Sequence, residues 1–181
     1  ILDKSIKENL KNYNFHKLYR ELLNFCTLDL SSFYFDIRKD VLYCDSLKSK
    51  KRKNCVVVLN IILDCLLKWL APIFVFTTDE IHGLLKKDES SIHEYLFPII
   101  PKNWENNELD NKWQQLFKIK QVANIAIEEK RANKEIGSSL EAEVKIIANK
   151  ENYNLLDGLD LAEYFITSKA GMVKSENNKE E

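Results

Sequence analysis

The sequence predicts a mainly α protein: a helical bundle over residues 1–137, a small α+β subdomain over 138–173 and a disordered tail over 174–181. Three observations carry this prediction. Gly and Pro number only four and three in 181 residues, too few for an all-β chain with many tight turns. Apolar residues recur at three- and four-residue spacing as far as residue 135, the period of an amphipathic helix. Beyond Gly137 the period changes, with Val144, Ile146 and Ala148 alternating with Lys145, Ile147 and Asn149, as in a strand. Hydrophobic residues make up 45% and charged residues 30%, which suffices to bury a core in one domain, or one domain with an appendage.

The first predicted element is one amphipathic helix over Asp3–Cys26, with Phe15, Leu18, Leu22 and Cys26 on its core face and Tyr19 and Leu23 beside them. Ser31 and Ser32 are placed to cap a short helix, and Phe33, Tyr34 and Phe35 cluster after them. The loop 47–54 holds Lys48, Lys50, Lys51, Arg52 and Lys53 without an acid. The apolar run Cys55–Phe76 is long enough to span a bilayer. Yet Asn60, Asp64 and Lys68 follow one another at four-residue intervals, on one helical face. Asp or Lys near a bilayer centre costs roughly 2.5–3.5 kcal/mol, so the run reads as a bundle helix with that stripe turned to water. Membrane insertion is rejected.

Pro72 ends or kinks this helix. Thr77 or Thr78 then starts another that continues to Leu85, with Asp79 and Glu80 near the positive end of its dipole. Pro98 and Pro101 mark 86–107 as a surface connection. A long helix follows from about Glu108 to Glu135, with Leu109, Trp113, Leu116, Ala123 and Ile127 facing the core, and Gly137 stops it. A strand over Val144–Ala148, one helical turn at Tyr153–Leu156 and a second strand at Leu161–Ile166 complete the order.

No catalytic residue and no metal site is predicted. His16, His82 and His93 lack metal-ligand spacing, and HExxH, nucleophile-elbow and Gly-rich phosphate-loop patterns are absent. Cys26, Cys44, Cys55 and Cys65 stand far apart without a CxxC pair, as reduced cysteines of a cytosolic protein do. Asp36 and Asp40, one turn apart with Arg38 and Lys39 between them, read as local ion pairs. No charged and apolar leader opens the chain. Ile1 at its start and Met172 as its sole methionine predict a fragment or excised domain.

The formal net charge is -1, so any nucleic-acid surface must come from local clustering of cations. Lys48, Lys51 and Arg52 form one candidate cluster. Lys130, Arg131 and Lys134 form another, at the end of the long helix, where cations also suit the dipole. Phe33, Tyr34, Phe35 and Tyr43 are of the type that stacks on unpaired bases, although aromatics in helical proteins also fill cores.

Several strings together resemble the isoleucyl-tRNA synthetases. FYFDIRKDVLYCD (33–45) is similar to the segment after their first anticodon-domain helix, and RANKEIGSSLEAEV (131–144) to their Ile-Gly-Ser-Ser-Leu-Glu-Ala pattern. WLAPIFVFTTDEI (69–81) resembles a stretch shared by class I synthetases for aliphatic amino acids, and FITSKAGMV (165–173) a later strand region. The resemblance implies a helical bundle of the class I anticodon-binding type that docks the anticodon stem and loop of tRNA(Ile) in the cytoplasm. It implies catalytic and editing domains elsewhere in the polypeptide, where ATP and Mg act, and in many bacterial members a C-terminal zinc module. The HIGH and KMSKS signatures of the ATP site are not in this chain. Two other readings stand beside this one: the same region of a valyl- or leucyl-tRNA synthetase, and a helical scaffold that binds protein.

Overall fold

The computed structural model, which describes residues 1–86 and 90–175, opens with two helices where the periodicity predicts one. Helix α1 (Leu2–Lys11) and helix α2 (Phe15–Asn24) are separated by Tyr13, whose φ is 53°. The Tyr13 N–H donates to the Leu10 carbonyl (3.1 Å) and the Asn14 N–H to that of Asn9 (2.8 Å). These paired bonds are a Schellman ending, here without the usual glycine. Leu18 and Leu22 of the predicted stripe are buried, whereas Phe15, Tyr19 and Leu23 face solvent.

Helix α2 runs on into a π-helical stretch, Phe25–Phe35, and then into α3 (Asp36–Tyr43). Ser31 and Ser32 therefore start no helix. Inside this stretch Ser32 Oγ donates to the Thr27 carbonyl and Thr27 Oγ1 to that of Leu23, both at 2.8 Å, satisfying each hydroxyl on a preceding turn.

Helix α4 (Lys50–Leu70) is the centre of the first unit. Its Cys65 and Trp69 pack with Ile6 of α1 and with Leu18 and Leu22 of α2. Its Leu67, with Ala71 just beyond its end, packs with Ile92. Trp69 Nε1 donates to Asp3 Oδ1 at 3.0 Å, fixing α4 to α1. Asn60 and Asp64 are exposed, as the polar stripe predicts, whereas Lys68 is half-buried and pairs with Asp64 at 2.7 Å. Among the described residues no helix is long and apolar enough to cross a membrane.

Helix α5 (Val75–Lys86) begins ahead of the predicted threonines. Thr78 is buried within it and returns its hydroxyl to the Phe74 carbonyl at 2.8 Å. Asp79 accepts from Ser91 Oγ (2.7 Å) and the Ile92 N–H (2.9 Å), and these bonds hold its carboxyl below the usual carboxylate range. Short 3-10 turns at Ile92–Glu94 and Lys102–Trp104 lie in the connection that follows.

The second unit begins at Glu105. Asn106 caps helix α6 (Asn107–Ala132) by accepting the Leu109 N–H at 2.9 Å. Strands β1 (Glu143–Ala148) and β2 (Lys169–Lys174) pair in parallel, Glu143 facing Lys169 and Ala148 facing Lys174. Parallel strands need a long crossover, and helices α7 (Lys150–Leu156) and α8 (Leu161–Phe165) supply it. Helix α8 occupies the place of the predicted second strand. Asp160 caps it through the Glu163 N–H at 3.1 Å, and Tyr164 and Phe165 are buried one turn beyond Leu161.

Two boundaries move with these contacts. Buried Lys120 of α6 donates from Nζ to the Tyr164 carbonyl at 2.8 Å, and Trp113 lies 6.0 Å from the Tyr164 ring. The compact division accordingly falls between Trp104 and Glu105 and not at residue 137. Lys174 belongs to β2, and the Ser175 N–H donates to the Ala148 carbonyl at 2.8 Å, so order extends into the predicted tail; 176–181 lie outside the described residues.

Candidate nucleic-acid interface

The first predicted cluster surrounds the start of α4. Lys48 sits in the turn before it, and Lys50, Lys51, Arg52 and Lys53 form its first turn, with no acid among them. All are exposed except Arg52, which is half-buried. Its guanidinium donates to the Asp45 carbonyl at 2.7 Å, and its N–H donates to Ser49 Oγ at 3.4 Å. Ser49 in turn donates to Asp45 Oδ2 at 2.8 Å. Arg52 thus shapes the turn that presents the lysines. These cations gather at the positive end of a helix dipole, a surplus of positive potential suited to an anion.

The second cluster is differently arranged. Lys130 pairs with Glu135 at 2.7 Å and Arg131 with Glu128 at 2.6 Å. Hydrogen bonding and charge from Glu135 raise the Lys130 ammonium, and Lys130 lowers the Glu135 carboxyl in return. Lys134, with φ 58°, takes the left-handed position that ends α6, where Gly137 is the predicted stop. Its N–H donates to the Arg131 carbonyl (2.9 Å) and that of Glu135 to the Lys130 carbonyl (3.0 Å), again a Schellman pair. Arg131 and Lys134 line one open polar hollow of about 650 Å³ with Glu128, Glu135 and Glu141. The structure brings these two cations together, and the two clusters belong to different units.

The aromatic candidates separate by burial. Phe33 and Tyr34 are half-buried. The Tyr34 hydroxyl lies 3.7 Å from Cys55 Sγ of α4, and burial first, with Cys55 next, pushes its phenol up to about 12. It ties the π-helical stretch to α4. Phe35 is 40% and Tyr43 83% exposed, so these two stay open to a base. Asp36 pairs with Lys39, as the sequence predicts. Sequence reasoning misses Tyr13, Phe15 and Tyr19, which emerge on the surface; their signal is the absence of any acid between Lys11 and Arg20. Among the described residues no group of three His, Cys, Asp or Glu is placed to hold a metal ion.

Residues 2–146 match the sequence model of the anticodon-binding domain of tRNA ligase. The isoleucine–tRNA ligase of Pelagibacter ubique is 53% identical over 179 residues, covering 99% of this chain and 20% of that protein. That of Agrobacterium fabrum is 42% identical over 176 residues (97% and 18%), and that of Mesorhizobium japonicum 41% over 168 (92% and 17%). The chain spans about a fifth of the length of the curated relatives it matches. The family match covers residues 2–146 and the first unit is helical, as a mainly α domain of this kind requires: the chain belongs to the family of anticodon-binding domains of tRNA ligases.

Proposed function

We propose that this chain is the anticodon stem-loop-binding part of an isoleucine–tRNA ligase whose partner is tRNA(Ile). The observation that carries the reading is the 53% identity to an isoleucine–tRNA ligase along 99% of the chain. The α4-centred core is the rigid frame, and Lys48 and Lys51, set by Arg52, hold the RNA backbone. Lys130, Arg131 and Lys134 add contacts from the second unit. Phosphate contacts of this kind fix register, while unstacked loop bases are read on their exposed edges. Adenylate formation, acyl transfer and editing belong to other parts of the polypeptide, where ATP and Mg act, with zinc held in a C-terminal module if the full protein has one. Such an enzyme works in the cytoplasm with the rest of the translation apparatus.

The test is filter binding of the full-length protein to purified tRNA(Ile), tRNA(Val) and tRNA(Leu) over a range of salt. The expected result is preference for tRNA(Ile), with affinity falling as salt rises. Tighter binding of either other tRNA overturns the isoleucine assignment. A salt-insensitive or absent RNA signal favours the protein-binding scaffold.

A further inference from the structure

We propose that Tyr13, Phe15 and Tyr19 form a stacking platform for unpaired RNA bases, flanked by the cations Lys11, Lys17 and Arg20. The proposal deepens the RNA-binding reading and rests on it. Every residue from Lys11 to Arg20 is exposed except Leu18, the one that enters the core. Phe15 and Tyr19 stand four apart and so share one face of α2, 47% and 55% exposed. Tyr13 meets Phe15 edge-on, ring centroids 6.2 Å apart. Arg20 lies beside His16, its guanidinium 2.8 Å from Nε2. The next acid, Glu21, accepts from Ser5 Oγ at 2.7 Å and Asn9 at 3.3 Å, toward α1, and stands 4.0 Å from Lys17.

The backbone adds an independent argument. Tyr13 holds a left-handed conformation in which a side chain is strained and glycine is not. Tyr13 is 80% exposed and, among the aromatic rings of the described residues, meets only Phe15, edge-on, so packing offsets little of that strain. An aromatic ring presented to water on such a turn is open to something that binds it from outside. Aromatic faces interleaved with cations suit a single strand, since each base has a π-face and each linkage a negative charge. An apolar protein partner would match the rings but leave the charge of Lys11 and Arg20 unanswered, Lys17 being paired with Glu21.

The probe is the anticodon hairpin of tRNA(Ile) with 2-aminopurine at one loop purine, titrated against the full-length protein. A blunt RNA duplex of equal charge serves as control. Tyr13→Gly combined with Tyr19→Ala is expected to weaken hairpin binding by roughly tenfold or more, as removal of a base stack does. Quenching of the 2-aminopurine disappears and duplex binding barely changes. Tyr13→Phe with Tyr19 intact keeps both the affinity and the quenching. Tyr13→Gly relaxes its own backbone, so a melting temperature equal to or above wild type separates a stacking defect from a folding defect. Unchanged affinity and quenching in the variants beside a binding wild type overturn the platform alone. A wild type that binds no hairpin at any salt overturns both the platform and the RNA reading. Self-association of the wild type that Tyr19→Ala abolishes makes the face a contact between copies and overturns the proposal.

Discussion

The cations at the start of α4 and those at the end of α6 both read as basic clusters in the sequence, and they stand at opposite ends of a helix dipole. At the start of α4, Lys50, Lys51, Arg52 and Lys53 stand against the positive end of a dipole with no acid in the first turn. At the end of α6, Lys130 and Arg131 stand at the favourable negative end, and each has a glutamate partner. A cation at the wrong helix end costs about 0.3–1 kcal/mol near the surface, and one at the right end contributes as much. The α6 cluster is therefore explained by the fold itself, whereas the α4 cluster is opposed by its own helix and fits an anion that approaches it. The difference teaches that a run of lysines is informative where the local structure opposes it.

Reversing charge at the start of α4 is the strongest way to break this comparison. Lys48→Glu with Lys51→Glu in the full-length protein is expected to weaken tRNA binding by more than tenfold. The salt slope should fall by roughly one for each phosphate no longer neutralised. Thermal stability should change little, because a glutamate at position 51 would complement the dipole while giving up the contact that Lys51 makes. Filter binding across salt, read beside a melting curve, checks this; reduced stability with unchanged affinity would make the α4 cations structural. Arg52→Ala comes next in size, and it should lower stability by about 1.5–3 kcal/mol by deleting a charged hydrogen bond to the Asp45 carbonyl, measured by denaturant unfolding. Reversal of Arg131 and Lys134 to Glu should weaken tRNA binding only several-fold, with a smaller change in salt slope, because Arg131 must first leave Glu128. An effect as large as that at α4 would erase the contrast between the two clusters. The smallest change is Lys134→Gly, which relieves a left-handed side chain and should raise stability by about 0.5–1 kcal/mol, read as a shift in denaturant midpoint.

What is legible in the sequence follows strong periods. The exposed Asn60 and Asp64 on α4 and the alternation through β1 both appear in the fold, because burial on one face leaves little freedom of register. The differences cluster where the chain turns without glycine. Tyr13, Lys134 and Ile166 all take positive φ at helix ends, and no residue type announces those stops. Helix α8 reads as a strand because LAEYF is short and aromatic; its signal is Asp160 immediately before it. Of the candidate site, charge clustering finds both basic groups but not their roles. Arg52 as a clamp and Arg131 as an ion-pair member depend on Asp45 and Glu128, whose relation to them is set by turn geometry and helix spacing. Tyr19 reads as core because Leu18 and Leu22 share its helix, and a stripe one residue too wide places it inside.

The parallel pairing of β1 with β2 has a consequence for synthesis on the ribosome. Glu143 meets Lys169 and Ala148 meets Lys174, so β1 leaves the exit tunnel well before its only described partner strand exists. Helices α7 and α8 can coil as they emerge, since their bonds are local, but the sheet must wait for loop closure over both of them. During that interval Val144 and Ile146 lie on an unpaired edge beside a finished α6. Slowing translation just before Lys169 would lengthen the wait, and early termination there would leave the second unit with its helices formed and its sheet missing.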